Sequence, residues 1–428
     1  MNRLILVLAL AIPLIAFPSK GDAQVRGTAM GNLVTVVSDG PFDAGRNPAL
    51  LALQPTDTAA AAYVRYRAID DSDSEYKSSL TIDVGEPSTF NTGAVAAYSM
   101  KLTGAVLGFA VGEMGGDLLS LQESRVTYYS AYTEKEKEKT FEASPSLVTA
   151  LAFPVDDTSA LGMQLIVTGG YKRTDKTKDY YMGIPRIATF EIRKIEESLT
   201  ASAGFGYSLR KNDTQVGFLL RSGNVTLRRQ SLDYDHKDID SGIYPSGSDS
   251  TPYKAYYTEA PRFIAGGYHR LSPNFGFAFE ASYMLSNTTY NRERDASVSV
   301  EIAPTPDFVI SYARNYTITT DESLQFKGGF EFAPREGLAF TFGTGYEYRE
   351  SFQESETMNR VSIRSKMEIL YATLGAHYAL SQATDISVLI SGGRVKMDAK
   401  LEQESMFSAR IDNTVYILDA GVAVITRY

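Results

Sequence analysis

LTASAGFGYSL, residues Leu199 to Leu209, decides the fold class. Leu199, Ala201, Ala203, Phe205, Tyr207 and Leu209 fall on one face. Thr200, Ser202, Gly204, Gly206 and Ser208 fall on the other. Alternation with a period of two is the mark of a strand. The pattern recurs. Phe275, Phe277, Phe279, Ala281, Tyr283 and Leu285 oppose Gly276, Ala278, Glu280, Ser282 and Met284. Leu324, Phe326, Phe330 and Phe332 oppose Gln325, Lys327 and Glu331. Leu338, Phe340, Phe342, Tyr346 and Tyr348 oppose Ala339, Thr341, Gly343, Gly345, Glu347 and Arg349. One face is apolar with aromatics toward its ends; the other is small or charged. In a soluble sandwich the apolar face would be the core. In an outer-membrane barrel it faces lipid, and the aromatics form interfacial girdles.

The punctuation between strands favours the barrel. Six tight junctions stand out: Lys101–Gly104, Pro154–Thr158, Arg210–Thr214, Leu271–Asn274, Ala333–Gly337 and Leu380–Asp385. They are short and polar, and most carry Pro, Gly, Asn or Asp. They divide the chain after Thr58 into blocks, each with two strands around a longer polar middle. Those middles are read as loops: Asp70–Pro87, Thr133–Lys139, Lys172–Tyr181, Arg229–Tyr256 and Asn287–Ala296. Short turns at one end and long loops at the other are the outer-membrane asymmetry, and the count predicts an all-β, antiparallel transmembrane barrel of about fourteen strands, with twelve or sixteen allowed. The last stretch, Asn413 to Tyr428, alternates and stops at an aromatic. Such an ending looks like the signal read by the barrel assembly machinery.

Composition agrees. Residues 1–23 have the form of a secretory signal: Arg3, then the apolar run Leu4 to Phe17, then small residues at Gly21 and Ala23. That run is shorter than the ~20 residues a spanning helix needs. No later stretch is long and apolar enough for a helical span. The net charge is −9 and the mean hydropathy −0.17. A barrel that meets lipid with every second residue has that average. The acidic balance and the lack of a basic cluster exclude nucleic acid as a partner. There is no cysteine, and the histidines, His236, His269 and His377, are far apart, so neither a metal site nor a cofactor is expected. No GxSxG or Walker motif is present, and His236 beside Asp235 and Asp238 reads as a surface histidine. The chain is not expected to be an enzyme.

Gly27 to Leu53, GTAMGNLVTVVSDGPFDAGRNPALLAL, does not alternate. It carries glycines, Pro41, and the tripeptide Asn47-Pro48-Ala49 before a short apolar run. Pro48 has no N–H and restricts Asn47, so the pair reads as a turn. A compact small-residue segment, residues 24–57, ahead of a barrel at 58–428 predicts a plug inside it.

The signal, the GTAMG start, Asn47-Pro48-Ala49 and a barrel ending in an aromatic together resemble the FadL-type outer-membrane transporters of long-chain fatty acids and other hydrophobic compounds. The resemblance implies that residues 24–57 form a luminal hatch. It implies capture of hydrophobic ligand among extracellular loops, passage to a pocket against the hatch, and sideways release into outer-membrane lipid where the third strand kinks. Asn47, Pro48 and Ala49 carry over directly. The third strand is expected at Ala105–Met114, with Gly104, Gly108 and Gly112 as kink candidates, since glycine inside a strand marks a bulge or bend. The family's third and fourth loops form an apolar groove. Here Lys172–Tyr181 is short and charged, and Gln230–Tyr257 is long but polar. The ligand candidates are therefore Tyr180, Tyr181, Met182, Ile184, Tyr253, Tyr256 and Tyr257, with girdle aromatics as the other reading. The run Glu134–Lys139 is expected at a solvated loop tip. Two other functions fit the same pattern: an adhesion or structural barrel whose loops bind a partner, and a water-filled porin for small hydrophilic solutes.

Overall fold

The computed structural model describes residues 29–30, 33–54, 56–70, 75–76, 88–112, 118–128, 133–181, 186–238, 247–250, 254–257, 260–297, 310–320, 322–355, 361–403 and 407–428. Residues 1–23, read from the sequence as a secretory signal, lie outside them. In chain order the barrel strands are β1 (Thr58–Asp70), β2 (Ser88–Leu102), β3 (Ala105–Gly112 and Leu118–Tyr128), β4 (Thr133–Ala143 and Ser146–Pro154), β5 (Ser159–Tyr181), β6 (Arg186–Lys211) and β7 (Thr214–Arg221 and Val225–Asp238). They continue with β8 (Lys254–Tyr257 and Arg262–Ser272), β9 (Phe275–Met284 and Asn287–Ser297), β10 (Ile310–Thr320 and Ser323–Arg335), β11 (Leu338–Ser355), β12 (Val361–Ala379), β13 (Thr384–Gln403) and β14 (Phe407–Arg427). Each pairs antiparallel with its neighbours in sequence. β1 closes the ring, with Ala61 opposite Ala97 of β2 and Ile425 of β14. The result is a closed barrel of 14 strands. Closure leaves no sheet edge, as a structure spanning lipid requires.

The six short turns stand where the sequence places them. Gly104 and Gly337 adopt φ of 79° and 76°, and Asn212 adopts 53°, so glycine and asparagine are used where the left-handed region is needed. In the turn after β4, Asp156 Oδ1 accepts the Thr158 and Ser159 backbone N–H groups at 2.7 and 2.8 Å.

The apolar faces point outward. Phe205, Phe279, Phe340 and Leu374 are exposed, while Gly204, Gly206, Ser208, Ala278, Glu280 and Thr341 are buried toward the interior. A soluble sandwich would show the reverse. Phe141 and Tyr171, centroids 6.3 Å apart, mark one rim of the apolar band, and Phe153 marks the other on β4. At ordinary strand rise and tilt, Phe141 to Phe153 covers roughly 30 Å, about the depth of a bilayer core.

Four stretches expected as loops are strand. Thr133–Lys139 and Lys172–Tyr181 pair with each other as β4 and β5, the Arg229–Asp238 part of the expected Arg229–Tyr256 loop belongs wholly to β7, and Asn287–Ala296 is the upper part of β9; the fifth, Asp70–Pro87, lies mostly outside the described residues. The barrel wall thus continues beyond the membrane. Charges alternate there as apolar residues do lower down. Glu136 and Glu138 share a face with Lys176 and Lys178; Lys176 Nζ lies 2.5 Å and Lys178 Nζ 3.2 Å from Glu136. Burial alone would raise the Glu136 carboxyl, but Lys176 and Lys178 hold it below its ordinary value. On the opposite face Arg193 and Arg173 reach Asp175 at 2.9 and 2.8 Å. Solvent screens such exposed and partly exposed pairs and leaves them weak, so the backbone ladders hold these extensions together. The Glu134–Lys139 run is accordingly no loop tip.

Candidate functional site: the filled lumen and the break in the third strand

Residues 33 to 54 pack against inward faces from β2 round to β12, so they lie inside the barrel. Their first half is held by polar contacts. Glu280 Oε2 of β9 accepts the backbone N–H groups of Val34 and Thr35 and the Thr35 hydroxyl at 2.7, 2.9 and 2.8 Å. Lys327 of β10 pairs with the other carboxylate oxygen at 3.2 Å. Nearby, the Thr373 hydroxyl of β12 donates to the Ala29 carbonyl at 2.7 Å. The contacts to the Val34 and Thr35 N–H groups and to the Ala29 carbonyl satisfy backbone groups that burial would otherwise leave unpaired. Met30, Leu33, Val36 and Val37 cluster on Ala278.

The second half folds on itself. Gly40, with φ of 66°, opens a 3₁₀ turn, Gly40–Gly45. Asp43 closes it, accepting from Ser38 Oγ at 2.6 Å, Asp39 N at 2.9 Å and Gln54 Nε2 at 3.2 Å. Burial raises the Asp43 carboxyl well above its ordinary value, against the pull of Ser38 and Gln54. Arg46 forms a buried ion pair with Asp39 and donates to the Leu33 carbonyl. Arg221 of β7 donates to the Gly45 carbonyl at 2.6 Å.

Asn47, Pro48 and Ala49 then turn the chain into a one-turn helix, α1 (Ala49–Ala52). Asn47 Nδ2 donates to the carbonyls of Thr35 and of Tyr207 in β6, at 3.0 and 3.4 Å. Its Oδ1 accepts the Ala49 N–H at 3.2 Å. The tripeptide is thus a turn, as read, and also a tie between the segment's two halves and the wall. Several barrel glycines make room for it. A Cβ on Gly162 would stand 2.4 Å from Ala49 N, and one on Gly108 would stand 2.7 Å from a Leu51 methyl and 3.1 Å from Ala44 Cβ. Gly217, Gly266 and Gly329 receive backbone or side-chain atoms of Thr35 and Met30 in the same way.

The lumen is divided in chemistry. Toward β9–β12 it is polar: Glu280, Gln325, Lys327, Glu347, Thr373 and His377. Toward β14, β1, β2, β3 and β4 it is apolar and mostly alanine: Ala61, Ala97, Ala110, Ala150, Ala152 and Ala423 surround Phe42, Ala44 and Leu51. Phe42 meets Tyr63 of β1 edge-on at 6.5 Å.

The break in β3 borders that apolar sector. Gly112 pairs with Val95 and Leu118 with Thr92, so β3 advances six positions while β2 changes by three. Against β4, Gly112 pairs with Ser146 and Leu119 with Glu142, seven positions against four. Between these described pairs β3 is three positions longer than either neighbour. Gly112 has φ of 136°, and a Cβ there would run into the Ala94 carbonyl, so only glycine suits the position. The three kink candidates therefore differ. Gly104 is the turn residue, Gly108 seats Leu51, and Gly112 alone stands at the break.

Of the ligand candidates, Tyr180 is buried and faces inward near the extracellular end, its ring 5.5 Å from Phe190 and nearly perpendicular to it. Leu232 is buried on the same luminal face. Tyr181 faces outward, 4.7 Å from Lys135 Nζ. Tyr256 and Tyr257 lie in β8, opposite Thr226 and Val225. Met182, Ile184 and Tyr253 lie outside the described residues. Among the described residues no acid or histidine cluster could hold a metal ion.

No protein-family model and no curated protein sequence matches this chain. Solved structures do. A Pseudomonas aeruginosa FadL homologue superposes with a TM-score of 0.59 at 12% identity, over 96% of this chain and 100% of that one. The Pseudomonas putida toluene transporter TodX gives 0.54 at 10%, over 96% and 99%. The Ralstonia pickettii toluene transporter TbuX gives 0.54 at 12%, over 96% and 99%. The chain shares their fold.

Proposed function

We propose that this protein is an outer-membrane channel for passive uptake of hydrophobic compounds, with lateral release into the bilayer. The observation that carries the reading is the three-position register surplus of β3 after Gly112, beside the apolar half of an otherwise filled lumen, which we take as the place where the wall opens. A hydrophobe leaving there passes from alanine-lined interior to lipid without crossing water. Residues 24–57 act as the hatch, and the cluster around Tyr180 and Phe190 receives ligand at the extracellular end. The proteins of like fold that are named as FadL homologue and toluene transporters support the same class of cargo. A water-filled porin is disfavoured, because the segment from Leu33 to Gln54 occupies the lumen. The test is reconstitution into vesicles. Labelled long-chain fatty acid should enter faster than into protein-free vesicles, while a sugar in a swelling assay should not. Sugar entry without hydrophobe uptake overturns the reading.

A further inference from the structure

Gln164 faces the lumen from β5 and is 4% exposed. Both ends of its amide, Oε1 and Nε2, are buried without a hydrogen-bond partner. Its ladder neighbours are Ala150 of the alanine wall on one side and Gly204 on the other. With no side chain at Gly204 the amide lies across it; a Cβ there would stand 2.7 Å from Nε2. One step toward the periplasm Gly162 seats Pro48 and Ala49. One step the other way Ile166 packs on the apolar cluster. The amide therefore stands at the edge of the alanine wall, beside α1, which packs on β4 and β5.

A buried donor and acceptor left unmade are unfavourable, and native interiors rarely keep both on one group. On the channel reading above, which this inference rests on, we infer that Gln164 is a specificity-determining contact for hydrophobes carrying a hydroxyl or similar neutral group. An amide with both ends open is matched by a group that both donates and accepts: an alcohol, a phenol, a protonated acid or an amide. A hydrocarbon satisfies neither end, and a carboxylate only the donor. The alanine wall takes the apolar body, and displacement of α1 brings that body and the amide together.

The test uses the full-length protein in detergent and a shape-matched pair, 4-octylphenol and 1-methyl-4-octylbenzene, measured by equilibrium dialysis. Gln164→Leu should weaken phenol binding about tenfold and leave the methyl analogue unchanged or slightly tighter. Gln164→Met, unbranched like the native side chain, should do the same, and heat-modifiable gel mobility reports assembly of both. Equal loss for both ligands, or no change in their ratio, overturns the assignment while the channel reading stands. Failure of the native protein to bind either compound overturns both.

Discussion

Asn47 and Gly206 are fitted to each other: the Asn47 Oδ1 occupies the space that a Cβ on Gly206 would need. The luminal segment and the barrel wall are therefore one packed unit at this point, with Pro48 against the same glycine and against Gly162. Gly206→Ala should push the tripeptide off the wall at about 1–3 kcal/mol, the usual range for overpacking. The barrel should still assemble, and single-channel conductance in a planar bilayer should rise. Gly392→Ala is the control, since that glycine faces open space. Equal conductance in both would mean that the contact does not close the lumen.

Asp43 predicts a pH dependence. Burial raises its carboxyl in the docked segment, with Ser38 and Gln54 working the other way. A carboxyl whose value in place exceeds its free value binds its proton more tightly when docked. Docking is then firmest below the free value of about 4 and weakens as pH rises toward the raised value, beyond which the loss is complete. Conductance of the native barrel should accordingly rise with pH from about 4 upward. Asp43→Asn should be flat across this range, because it removes the titrating group and the Ser38 hydroxyl can turn to accept from the new amide, whose oxygen still accepts the Asp39 N–H. Native conductance that falls over this range would contradict the assignment.

Glu280 and Lys327 separate barrel stability from docking. Removing one member of a buried pair strands the other and is strongly destabilising, about 3–5 kcal/mol, whereas replacing both is often nearly neutral. Glu280→Leu should thus lower thermal stability markedly, and Glu280→Leu with Lys327→Leu should recover most of it. The double variant should still conduct more than native, since Val34 and Thr35 have lost their acceptor. Native-like conductance would show that Glu280 does not anchor the segment.

The two faces of the wall give a simpler check. Phe279 is exposed toward lipid further from the turn, and Phe279→Arg should impair assembly, by up to roughly 2–4 kcal/mol. Ser202→Arg, on the luminal face, should assemble better when folding into vesicles is followed by gel mobility. The reverse order would mean that the faces are exchanged.

Much of this was legible in the sequence. Alternation of Phe and Gly along β6, β9 and β11 is a direct image of a wall with lipid on one side, and the turns counted the strands. The extensions above the membrane look like loops in the sequence because apolar contrast vanishes there. Glu134 to Lys139 still alternates in charge sign, which was the available signal. In the lumen, Asn47-Pro48-Ala49 was visible as a turn. The glycines that receive it were not, because Gly162, Gly206 and Gly217 look like any barrel glycine until the segment is placed against them. Glu280 was seen only as one polar residue of an alternating strand; nothing local marks it as the acceptor for a backbone some 245 residues away. Gln164 carries no pattern at all, since its interest lies in what does not touch it.

Lateral release depends on the extra length of β3 after Gly112, and the most direct measurement removes it. Deleting residues 114–116 removes the three-residue surplus and brings β3 back into count with β2 and β4. Uptake of labelled long-chain fatty acid into vesicles, at equal amounts of heat-modifiable barrel, should fall to the protein-free rate while Gln164 and the luminal segment remain intact. Uptake that continues at the native rate through the closed wall would contradict lateral release at Gly112.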